Sequence, residues 1–81
     1  MAGKLYHVNA VWDEEAGVWV ATSDDVPGLV TEAETRDALT AKLHVLIPEL
    51  LEANGAILND SLDIPFEVVT TKQEKARRVA H

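Results

Sequence analysis

From residue 5 to residue 12, Tyr6, Val8, Ala10 and Trp12 alternate with Leu5, His7, Asn9 and Val11. The even set is apolar throughout, and this period of two predicts a strand with one buried face. Asp13, Glu14, Glu15, Ala16 and Gly17 follow, a polar run ending in glycine that reads as a hairpin loop. Residues 18–22, Val-Trp-Val-Ala-Thr, predict a second strand, apolar on both faces as a central strand requires. In the run from Asp24 to Gly28, Pro27 presets φ and Gly28 admits positive φ, which suits the central positions of a type II turn. A short third strand is expected over residues 29–32.

The period then changes. Leu39, Leu43, Leu46, Ile47, Leu50 and Leu51 recur at the spacing of one helical stripe. Thr35 is a suitable N-cap, Asp37 favours the positive end of the helix dipole, and Asn54-Gly55 supplies a stop. Pro48 lacks an N–H, and its ring crowds the preceding turn, so a kink or a division near residues 45–47 is expected. After the polar link Asn59-Asp60-Ser61, residues 62–71 read as a last strand with Ile64, Phe66 and Val68 on one face. Pro65 makes it an edge strand or delays its start. Thr71 and Glu74 have capping-box spacing, so residues 72–81 form either a frayed tail or a short helix.

These elements predict an α+β domain over residues 1–71 with strand order 3-2-1-4, followed by a tail over residues 72–81. Two hairpin links make the first three strands antiparallel. The helix then crosses back and sets the fourth strand parallel to the first. One helix covers one face of such a sheet. The other face is assigned Leu5, Val11, Trp19, Ala21 and Val69, an apolar set that predicts a homo-oligomer, joined across that face or along the fourth strand.

Composition narrows the function. With 81 residues, one core is available, and a domain this small buries only about 60–65% of its unfolded surface. There is no cysteine, which excludes disulfides and thiolate zinc sites. No apolar run is long enough to span a membrane, and no secretory leader is recognisable, so a cytoplasmic protein is expected. The net charge of −7 is uneven. Residues 1–71 carry three basic residues against thirteen acidic ones, a balance of −10, whereas Lys72, Lys75, Arg77 and Arg78 against Glu74 give the tail +3. Such a body repels phosphate backbones and suits a basic partner, while the tail is the possible nucleic-acid contact.

The residues from 11 to 39, VWDEEAGVWVATSDDVPGLVTEAETRDAL, resemble the N-terminal domain of the HicB family of bacterial antitoxins. The shared pattern is a hairpin, an aromatic residue on its second strand (Trp19), a D-x-PG turn (Asp25 to Gly28), a short strand and a T-x-x-A helix start (Thr35 to Ala38). A short HicB-like family without a C-terminal DNA-binding unit also carries the I-P-E-L-L-E-x-N-G helix end found at residues 47–55. The resemblance implies a partial RNase H-like fold and a partner such as HicA, a small basic ribonuclease toxin that is occluded when bound. The roughly ten residues after the last strand are too few for a helix-turn-helix, so DNA binding is not expected.

Catalytic groups are not expected. The two-metal chemistry of RNase H-like nucleases needs several converging carboxylates, yet the acidic residues fall in loops. His7, His44 and His81 are scattered, and neither a triad nor a phosphate-cradling loop is present. No cofactor is implied. The candidate partner-binding residues are Trp19 and the acidic Asp13, Glu14, Glu15, Asp24 and Asp25, with Glu32 and Glu34 nearby in sequence. Trp19 is either an interface anchor or packed against its cross-strand neighbours, and the carboxylates are either solvated or a patch that captures a basic ribonuclease. The expected function is therefore non-catalytic neutralisation of a HicA-like toxin. The alternatives are a stand-alone oligomeric binding domain and nucleic-acid binding through the tail.

Overall fold

The computed structural model describes residues 5–55 and 64–79. In chain order the elements are β1 (Tyr6–Asp13), β2 (Val18–Thr22), β3 (Val30–Ala33), α1 (Arg36–Ala53) and β4 (Phe66–Thr71). They form one mixed sheet in the order β3-β2-β1-β4. β2 runs antiparallel to β1 and β3, and β4 runs parallel to β1. This is the expected topology. The link at Asn59-Asp60-Ser61 lies outside the described residues.

Local chemistry fixes most of the boundaries. Leu29 N–H donates to the Val26 carbonyl at 3.1 Å and Gly28 takes φ +84°, as the type II turn requires. Thr35 caps α1 by accepting from Ala38 N–H at 3.0 Å. Gly55, at φ +77°, ends the helix by donating to the Glu52 carbonyl. β4 begins immediately after Pro65, whose carbonyl accepts from Tyr6 N–H at 3.0 Å.

Leu39, Leu43, Ile47 and Leu51, spaced by four, form the buried stripe of α1. They make one core with Val8, Ala10, Trp19, Ala21, Val26, Leu29 and Ala33. Each large aliphatic chain buried in this way contributes about 1.5–3 kcal/mol relative to exposure.

Two expectations that carried alternatives are narrowed, and one is corrected. α1 is neither divided nor interrupted at Pro48; burial of Leu43, Ile47 and Leu51 on either side holds the helix through it. Residues 72–79 carry no helix. Thr71 ends a β-branched strand instead of capping a turn. Trp19 and Ala21 lie on the helix-covered face. The register pairs Trp12 with Trp19, Ala10 with Ala21 and Asp13 with Val18. The four residues between Asp13 and Val18 thus pair even positions of β1 with odd positions of β2.

A candidate binding surface

The sheet face away from α1 has no covering element among the described residues. By register it carries Asn9 and Val11 of β1, Val20 and Thr22 of β2, Val30 and Glu32 of β3, and Glu67, Val69 and Thr71 of β4. Val11, Val30 and Val69 are 53%, 72% and 52% exposed. These are branched chains on a flat, extended surface, which gives apolar area at low rotamer cost.

Trp19 turns inward. It is 8% exposed, and its ring meets that of Trp12 edge to face at 5.3 Å. The packed alternative for this residue is therefore the observed one. Arg36 lies 5.6 Å from the Trp19 ring, and Lys72 lies 5.1 Å from the Trp12 ring. The basic candidates Lys72, Lys75, Arg77 and Arg78 are all exposed, and of the four Lys72 alone makes a ring contact with the body.

The acidic candidates divide between the two ends of the sheet. Asp13, Glu14 and Glu15 occupy the β1–β2 hairpin, and Asp24 and Asp25 lie beyond the far end of β2. Two of them have structural duties. Asp13 Oδ1 accepts from the N–H groups of Glu15 and Ala16 at 3.1 Å, which closes the hairpin. Asp25 Oδ2 accepts from His7 N–H at 2.8 Å. Glu14, Glu15 and Asp24 are exposed.

Sequence reasoning missed several polar contacts because their partners are distant in the chain. His7 Nδ1 lies 2.6 Å from Glu67 Oε1, an exposed pair that bridges β1 and β4. The Ser23 hydroxyl donates to the His7 carbonyl and accepts from the N–H groups of Asp25 and Val26. Asn54 Nδ2 donates to the Pro27 carbonyl at 2.9 Å, which ties the end of α1 to the turn at Gly28. Lys42 Nζ donates to the Glu32 carbonyl on β3 at 2.6 Å.

Among the described residues, no group of three His, Asp or Glu side chains converges as a metal site. Nor is any helix there long and apolar enough to cross a membrane.

The model of a family described as a domain of unknown function, DUF1902, matches residues 5–80. The chain belongs to the DUF1902 family. The DUF1902 match takes in every strand, the helix and the residues after β4. A solved structure, that of the hypothetical protein TTHA1013 from the extremely thermophilic bacterium Thermus thermophilus, is similar at 49% identity with a TM-score of 0.69. The similarity covers 93% of this chain and 100% of that one. No curated protein matches the chain.

Proposed function

We propose that this DUF1902 protein is a non-catalytic binding module that captures a small basic protein on the open face of its sheet. The observation that carries the reading is the uncovered apolar surface of Val11, Val20, Val30 and Val69, with Glu32 and Glu67 among them on a body of strongly negative charge. Apolar centres bordered by charge are suited to protein partners: burial supplies affinity, and the carboxylates steer a cationic surface into place. The same charge opposes a phosphate backbone, so the body is better matched to a basic protein than to nucleic acid.

The HicB-like pattern of hairpin, D-x-PG turn and helix start gives the partner a chemical class. It is a small basic ribonuclease of the HicA type, inhibited when its RNA-binding face is covered. The carboxylates available for this are Glu14, Glu15, Asp24, Glu32 and Glu67, the last beside His7, since Asp13 closes its own hairpin and Asp25 accepts from His7 N–H on β1.

The test is co-expression with a short basic protein encoded beside this one. Co-purification and relief of that protein's growth arrest are the expected results. Growth arrest that persists, with no complex recovered, overturns the toxin-neutralising reading.

A further inference from the structure

The sheet has two edges, and they are unlike. β3 is four residues long, and Lys42 donates to its Glu32 carbonyl. A short strand with a lysine across it is a blunted edge, a poor template for pairing with another chain. β4 is six residues long and continues directly into residues 72–79, which are exposed and carry no helix or turn. The molecule measures 64 × 25 × 19 Å with a radius of gyration of 15.9 Å, against about 12 Å for a compact chain of this length. The DUF1902 match extends to residue 80, so this segment belongs to the family domain.

We infer that residues 72–79 are a dimerisation arm that pairs, antiparallel, with the β4 edge of a second copy of this chain. The inference is independent of the toxin-binding reading, which uses the open face. Charge favours it: the arm is basic and the body is acidic, so each arm is attracted to the other protomer.

Symmetry selects the register. A twofold axis perpendicular to the sheet pairs residues of like parity, because paired side chains share a face. An axis at Lys72 would set two lysines opposite each other, which is destabilising. An axis at Gln73 sets two neutral amides opposite each other and flanks them with two Lys72–Glu74 pairs. Arg77 then lies diagonally opposite Glu67 of β4, within reach of a long side chain. The two four-stranded sheets become one, and both β4 edges are covered.

The chain has no cysteine, so an engineered one can cross-link only to its own copy. Sedimentation of the full chain is expected to give a dimer. Truncation after Thr71 and the arm variant Ala76→Pro, which removes an N–H that faces the free edge, should each halve the apparent mass. Circular dichroism of both variants should match that of the full chain. Gln73→Cys should form a disulfide-linked dimer on mild oxidation, whereas Glu49→Cys, exposed on α1, should not.

A monomeric full chain overturns the inference, as does a dimer that survives both arm changes. Equal cross-linking at positions 73 and 49 overturns the register. A monomer whose arm instead shifts a single-stranded oligonucleotide in a salt-dependent way assigns the segment to nucleic acid.

Discussion

Trp12 and Trp19 meet across the first hairpin with ring centroids 5.3 Å apart and planes at 62°. An edge-to-face pair of this kind adds about 0.5–1.5 kcal/mol to what burial alone supplies. Trp19→Ala removes both contributions at an 8%-exposed site and should cost about 3–5 kcal/mol, read as a shift in the urea midpoint. Trp12→Ala, at a half-buried site, should cost less.

Pro48 occupies the interior of an unbroken helix, where it supplies no N–H for the His44 carbonyl. Pro48→Ala restores that donor and should raise stability, with the propensity difference of about 3 kcal/mol as the upper bound. Equilibrium denaturation measures the gain, and helical circular dichroism should be unchanged or stronger.

Gly28 takes φ +84°, and a Cβ built there meets only Leu50 Cδ2 at 3.8 Å, an ordinary contact. The cost of Gly28→Ala is therefore conformational, about 1–2 kcal/mol. For a domain of this size, 1 kcal/mol corresponds to a fall of about 4–8 °C in Tm. Asn54→Ala loses the bond to the Pro27 carbonyl in the same turn and should cost about 0.5–1.5 kcal/mol.

On the open face, Val11→Lys and Val69→Lys place charge where the side chains are already half exposed or more. Their unfolding free energies should stay within about 0.5 kcal/mol of the parent. Capture of a basic partner should be lost. Titration calorimetry beside a denaturation curve separates the two effects.

Much of the fold was legible because its signals are local. Thr35, Asn54-Gly55 and Pro27-Gly28 each act within four residues, and the strand order follows from the order of the elements. The face assignment of β2 depended instead on how many residues the first loop leaves unpaired. Asp13 to Gly17 reads equally well as a loop whether or not Asp13 joins the ladder, and its pairing with Val18 reverses the parity. The acidic candidates failed as a single patch for a related reason. Asp13 and Asp25 are twelve residues apart, but β2 carries the chain from one end of the sheet to the other between them. Proximity in sequence measured nothing there.

The parallel pairing of β1 with β4 also governs how the chain folds. β1 meets β2 through a short hairpin, but His7 and Glu67 are separated by sixty positions. Contacts at that separation close a large loop before they return any stabilisation, so they form late and slow the reaction. The hairpin, β3 and α1 can assemble while the polypeptide is still being synthesised. β4 cannot join β1 until residues 66–71 have left the ribosome, so the sheet is completed last.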